Sequence, residues 1–328
     1  MRILKGVFFI AGAALLGVVV YRVGAGSIAD ALQHVAWWQF ALVCSFQGFA
    51  IAIDAYAWRL TLPDRDAPFT TLVAARCAGD AANLLSGISA VGGDALKAWI
   101  LRHRIPYRET IPSLIVSKTA ELFGQVLLFA TAVALAFHAA IGRSLQTAMA
   151  SLLVVQIVAV GGFFAVQLAG VLGKSERILG WIGVERGDDI RALDLAVRGF
   201  YRHQPGRFAA AVACHFAGWC LGIAEAMAIL YVLGLSVSAT TAVLIETLWS
   251  AVRFATFFVP GSLGPIESAN AGAFAALGFG AGTGLAFTLI RRARQAVWVA
   301  IGALVLVAIA PRRGVGAEPQ PAALAGAD

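Results

Sequence analysis

The chain has 328 residues, 60% of them hydrophobic and only 13% charged, with a formal net charge of +7. A mean hydropathy of +0.81 and several apolar runs longer than the ~18 residues that cross a bilayer describe an all-α polytopic membrane protein. The same figures exclude a separate globular domain, because the longest polar stretch, Gly173 to Arg207, is too short to bury a core, and they give no reason to expect nucleic acid as a partner.

The first predicted span, 3–23, opens with Arg2 and Lys5 and carries an apolar stretch from Gly6 to Val20. A cleaved signal peptide shares that pattern, but the segment reads as a retained anchor. A second span follows at 38–60, with Trp37 and Trp38 at its mouth as an interfacial aromatic belt. Next comes "TTLVAARCAGDAANLLSGISAVGGDALKAW", too polar for a spanning helix, and then a basic loop at 97–109 (Lys97, Arg102, Arg104, Arg108). Further spans are expected at 111–137, 148–172 and 208–232, the last two separated by the basic stretch 173–207. Within that stretch the alternating charges of Asp188 to His203 suggest a helix on a solvated or membrane surface. A second ambiguous stretch, 241–275, precedes a sixth span at 284–310, and the Pro/Ala/Gly-rich tail from Pro311 reads as disordered.

Lys and Arg in the loops 97–109 and 173–207, and their lack in 24–37 and 232–240, place the first two loops in the cytoplasm and the others outside. The second span then ends inside, so the stretch of about 70–96 must enter and leave on one side as a re-entrant hairpin. Its first arm carries Arg76, Asp80 and Asn83 as one polar stripe at i, i+4 and i+7. A fixed offset of 173 residues superposes this hairpin on 241–275, carrying Asp94 onto Glu267 and Lys118 onto Arg291, although it sets Asp80 against Arg253 with opposite sign. The correspondence describes an inverted repeat whose second hairpin, with its breakers Pro260, Gly261, Gly264 and Pro265, dips in from outside. Both termini are then cytoplasmic.

Charges embedded at such depth need partners or water. Lys118, Glu121 and Gln125 line one neighbouring span, Arg291, Arg294 and Gln295 the other, while Glu246 and Arg253 share a face of the second hairpin's entering arm. Asp54 and Glu225 add single acids to the preceding spans. Internal ion pairs such as Asp94 with Lys118 and Glu267 with Arg291 would merely fix the hairpins; the concentration of charge in two related hairpins favours a polar cavity. His215, Cys44, Cys77, Cys214 and Cys220 read as packing residues, and no HExxH, CxxC, Walker or GxGxxG pattern supports a metal, a cofactor or catalysis.

The runs "NLLSGISAVGGDALKAWILRHRIPYRETIPSLIVSKTAE" and "LIETLWSAVRFATFFVPGSLGPIESANAGAFAALGFGAGTGLAFTLIRRARQ" resemble the transmembrane region of the lysylphosphatidylglycerol synthase and flippase-like family, most of all its hopanoid-cluster-associated branch. The resemblance covers about residues 3–310. It implies a multi-pass bacterial inner-membrane protein that handles lipids, without the soluble aminoacyl-transferase domain of the full-length synthases. By position it singles out Asn83, Gly92, Gly93, Asp94 and Lys118 in the first motif. In the second it singles out Glu246, Arg253, Pro260, Gly261, Gly264, Glu267, Arg291 and Arg292. Ser86 or Gly87 stands where that branch has a proline. The expected function is therefore lipid translocation or binding, with membrane lipids as partners and lipid-biosynthesis enzymes as further candidates. An embedded lipid-modifying enzyme using Glu246, Glu267 or Asp94, or a scaffold of a lipid-synthesis complex, are the alternatives.

Overall fold

Inside a bilayer a backbone has no water to satisfy its polar groups, so a chain of this composition resolves into helices. The computed structural model describes residues 35–63, 67–85, 91–139, 142–170, 187–255 and 265–309. The first expected span, the hairpin tips with Pro260, Gly261 and Gly264, and the expected disordered tail lie outside the described residues. In chain order the helices are α1 (Trp37–Thr61), α2 (Phe69–Leu85), α3 (Val91–Leu101), α4 (Tyr107–His138), α5 (Arg143–Ala169), α6 (Gly187–His203), α7 (Pro205–Val232), α8 (Ala239–Ala255), α9 (Pro265–Ala276) and α10 (Ala281–Ile309).

Five of them, α1, α4, α5, α7 and α10, are long and apolar enough to cross a membrane. At 1.5 Å per residue the 17-residue α2 and α8, the 11-residue α3 and the 12-residue α9 fall short of the ~30 Å hydrocarbon core. Each short pair packs against itself, α2 on α3 and α8 on α9, in the two places where the sequence suggests re-entrant hairpins. The order α1–α4 recurs as α7–α10 at nearly the 173-residue offset, and the packing pairs recur with it: α1 on α2 as α7 on α8, α4 on α8 as α10 on α2.

The helix ends follow local chemistry. α7 closes with Gly234 at φ 78° and a Leu235 N–H bond to the Leu230 carbonyl, and α9 closes alike with Gly278 at φ 82° and Phe279 bonded to Phe274. Both are Schellman motifs, which need the left-handed residue that glycine supplies. Arg207, counted in the sequence as loop charge, donates to the carbonyls of Leu60 and Leu62 at 2.9 and 2.6 Å. It thereby satisfies orphan acceptors at the C-terminal end of α1 with a cation that suits the helix dipole.

Two apolar cores hold the hairpins at opposite ends of the bundle. One gathers Ala55, Trp58 and Leu62 of α1 with Leu72, Ala75 and Ala78 of α2, Leu101 of α3 and, at its edge, Val305 and Leu306 of α10. The other gathers Val43 of α1 with Ile229 and Leu230 of α7, Ile245 and Trp249 of α8, Phe274 of α9 and Phe287 and Ile290 of α10. The first hairpin thus sits at the ends of α1 and α10 and the second near their beginnings. α6 lies across the first end, burying Leu193 and Val197 against Val116 of α4 while Arg191 and Leu195 stay exposed. Its Tyr201 donates to Gln167 of α5 at 2.7 Å, and burial pushes that phenol up to about 12. The surface helix read from its charges is therefore anchored along one face.

Where α2 meets α3, a Cβ on Gly93 would strike the backbone oxygen of Gly79 and the side chain of Asn83, and one on Gly79 would meet Lys97 Cε at 2.6 Å. A backbone oxygen cannot yield as a flexible side chain can. Gly93→Ala is expected to spread the hairpin and cost roughly 1–3 kcal/mol. A melting temperature in detergent unchanged from wild type would show that the two arms do not meet here.

Candidate functional site

Between the two apolar cores lies a layer of ionised side chains. On the first hairpin's side, Arg76 of α2 donates through Nη2 to Asp54 Oδ2 of α1 and through Nε to Asp80 Oδ2, both at 3.0 Å. The i, i+4 spacing of Arg76 and Asp80 aligns them, while Asp54 reaches the pair from the neighbouring span. Asp54 Oδ1 lies 2.8 Å from His215 Nδ1 of α7, and the other ring nitrogen lies 3.5 Å from Ser117 Oγ of α4. In α3, Asp94 pairs with Lys97 at 2.8 Å, and Lys97 also faces Asp80 at 3.8 Å. Asn83 accepts the Gly93 N–H at 2.7 Å, tying the two arms together. Lys118 and Glu121 of α4 pair at 3.0 Å.

On the second hairpin's side, Arg291 of α10 donates to Glu246 of α8 at 2.5 Å and to the Gly222 carbonyl of α7 at 3.2 Å, with Glu225 at 3.8 Å. Its guanidinium carbon lies 4.8 Å from the ring centroids of both Trp249 and Phe287, so the cation is also held by aromatic faces. Arg294 pairs with Glu225 at 3.0 Å and donates to Gln47 of α1. Arg292 pairs with Glu267 of α9 at 3.0 Å and reaches Gln295 at 3.2 Å. Glu246, Glu225 and Arg291 are each at most 4% exposed, an arrangement tolerable only because every charge has a counter-charge.

The layer is not closed everywhere. Lys118 is 45% exposed at its side chain and Asp80 36%, and Arg253 near the end of α8 is also exposed. Arg253 nevertheless lies within electrostatic reach of Glu121 on α4, Asp80 on α2, Glu246 on its own helix and Arg292 on α10. Among the described residues it has no hydrogen bond or ion pair. The layer therefore opens where α2, α4, α8 and α10 converge, and the cation without a direct partner stands in the opening. Among the described residues, the layer's cations Arg76, Lys97, Lys118, Arg253, Arg291, Arg292 and Arg294 are equalled in number by Asp54, Asp80, Asp94, Glu121, Glu225, Glu246 and Glu267.

Several expected pairings are corrected by this geometry. Asp94 is held by Lys97, which the sequence assigns to a cytoplasmic loop but which is buried one helical turn away on α3; Lys118 instead takes Glu121. Glu267 takes Arg292, leaving Arg291 for Glu246 and Glu225. Gln125, grouped with Lys118 and Glu121, points elsewhere, bonding to Ser250 of α8 and Gln156 of α5. His215 is a member of the charged layer, not packing. Its sequence signal, one imidazole in an apolar span, gains meaning only when Asp54 is brought beside it. Cys220, expected to be buried, is exposed, and all four cysteines are free. Among the described residues no cluster of His, Cys, Asp or Glu could hold a metal ion.

A separate cavity of about 310 Å³ opens at the first end of the bundle, lined by Leu62, Pro63, Pro112, Val116, Phe200 and Arg108 among others, away from these charges.

No curated protein and no solved structure matches the chain. The family described as the lysylphosphatidylglycerol synthase TM region matches residues 3–303, which take in both hairpins and every charged residue of the layer. By that match, the chain belongs to the lysylphosphatidylglycerol synthase TM-region family.

Proposed function

We propose that this protein receives a lipid headgroup in the opening of the charged layer and passes it between the leaflets of a bacterial inner membrane, without itself catalysing a covalent step. The observation that carries this reading is Arg253, exposed and lacking a direct partner among the described residues, within reach of charges on three other helices. A guanidinium in a partly desolvated opening is suited to bidentate binding of a phosphate. A neutral polyol headgroup of the hopanoid kind would need Asp94 and Glu267 as acceptors, each of which already gives one oxygen to a cation, Lys97 or Arg292. The exposed guanidinium of Arg253 favours an anionic lipid.

Alternating access in this reading uses an inverted repeat, α1–α4 against α7–α10, with both termini cytoplasmic. It draws support from the antiparallel contact of α1 with α7, where Arg207 near the start of one caps the end of the other, and from the hairpins' places at opposite ends of α1 and α10. Lipid-synthesis enzymes supplying the substrate are natural partners.

The test is leaflet exchange in proteoliposomes holding a headgroup-neutral or an anionic fluorescent phospholipid. Exchange faster than in protein-free vesicles, and fastest for the anionic lipid, is expected. Rates equal to those of empty vesicles would sink the proposal, and a chemically altered lipid would establish the enzyme alternative.

A further inference from the structure

We propose that His215, held between Asp54 and Ser117, is a proton-binding site that sets the charge of the opening, so that an anionic headgroup and a proton are taken up together. The inference rests on the translocation reading above and adds a second ligand to it.

The ring is nearly inaccessible, yet it is not packed against carbon alone. Asp54 Oδ1 at 2.8 Å fixes the tautomer, with the hydrogen on Nδ1 and the lone pair of Nε2 facing the Ser117 hydroxyl at 3.5 Å. Carboxylate, imidazole and hydroxyl in series resemble a hydrolase relay. A nucleophile must meet its substrate, however, and Ser117 is only 6% exposed. The series is better suited to holding a proton. When one arrives from water, an N–H bond forms at Nε2, a hydronium O–H bond breaks, and Ser117 Oγ turns its lone pair to accept the new hydrogen.

That proton changes who holds whom. Asp54 divides its oxygens between His215 and Arg76. With a neutral ring its charge is committed to Arg76; with a cationic ring it is shared between two cations, and Arg76 is freer to turn toward Asp80, Glu121 and the opening. Because the layer's cations and carboxylates among the described residues are equal in number, one added proton gives it a single excess positive charge, the complement of a singly charged phosphate diester. Headgroup and imidazolium then form a neutral pair in the layer, and when the headgroup leaves, the Nε2–H bond breaks, returning the proton to water and the lone pair to the ring.

The charged groups facing the ring from the elements around α7 are few. α1 brings Asp54, with Arg76 of α2 behind it, and α4 brings Glu121, within electrostatic reach of the ring and partly open to the layer. α8 and α10 meet α7 at Gly222 and Glu225 through Glu246, Arg291 and Arg294, some 10–15 Å further along at 1.5 Å per residue. Arg202 and His203 of α6 are exposed near the first turn of α7, about 18 Å from His215 on the same scale.

Two readouts on the full-length protein in liposomes test the proposal. The first is solid-state NMR of ¹⁵N-histidine protein, with His215→Gln used only to assign the signal. The His215 resonances are expected to be those of a neutral ring in liposomes at about pH 8 and those of an imidazolium at about pH 5. A ring that stays neutral throughout overturns the inference whether or not lipid moves. The second is leaflet exchange of the anionic phospholipid against pH, expected to change severalfold across that range in wild type and to be flat in His215→Gln. An identical pH step in both proteins also overturns it. Absence of exchange at every pH defeats the translocation reading instead, and the NMR titration then decides the proton site alone.

Discussion

Replacing Arg291 with leucine is expected to remove most of the protein from the membrane. The side chain is 2% exposed, binds Glu246 at 2.5 Å, caps the Gly222 carbonyl, neighbours Glu225 and lies between two aromatic rings. Leucine leaves Glu246 buried and unpaired, and breaking a buried pair from one side commonly costs roughly 3–5 kcal/mol, a large part of the 5–15 kcal/mol that holds a typical fold. Glu225 is less affected because Arg294 still reaches it at 3.0 Å. Adding Glu246→Gln should therefore restore part of the loss, with a coupling of about 1 kcal/mol or more in the double-mutant cycle. Immunoblots of membranes and thermal melts in detergent report both effects. A single variant that melts with wild type would show that Glu246 does not depend on Arg291.

The second large effect is expected on activity alone. Arg253→Lys keeps the charge but loses the planar fork, and because Arg253 is exposed and without a direct partner among the described residues, the fold should not register the change. Transfer of an anionic phospholipid should fall about tenfold or more, the equivalent of losing one charge-assisted hydrogen bond of about 1.4 kcal/mol. Abundance and melting should stay at wild-type values. Equal activity in the two proteins would reduce Arg253 to a bystander of the ion-pair layer.

What the sequence makes legible here is whatever depends on order along one helix. Among the described residues, the five long apolar helices, the short arms of the two hairpins and the polar stripe of Arg76, Asp80 and Asn83 fall where hydropathy and periodicity put them. Pairing between helices is a different matter. Nothing in one dimension says that Glu246 lies opposite Arg291 and not Arg253, since either arginine suits a carboxylate. Lys97 shows the limit of the loop-charge rule: a lysine at the edge of an apolar run counts as cytoplasmic unless Asp94, three residues earlier, is seen to fold it inward. His215 shows a further limit, because its role is created wholly by residues on α1 and α4.

The interlocking of the two halves also constrains how the protein is made. Asp54 gives one oxygen to α7, Gln47 of α1 receives Arg294 of α10, and the backbone of α2 at Cys77 lies so close to Gly302 of α10 that a Cβ there would not fit. The charges of α1 to α4 are nevertheless paired among themselves, Arg76 with Asp54 and Asp80, Lys97 with Asp94 and Lys118 with Glu121, so this half can stand in a bilayer with its charges matched before the second half is translated. What waits for α7 and α10 is the join: the second partner of Asp54, the donor to Gln47 and the close approach at Gly302. Each half matches its own charges first, and the contacts between halves follow.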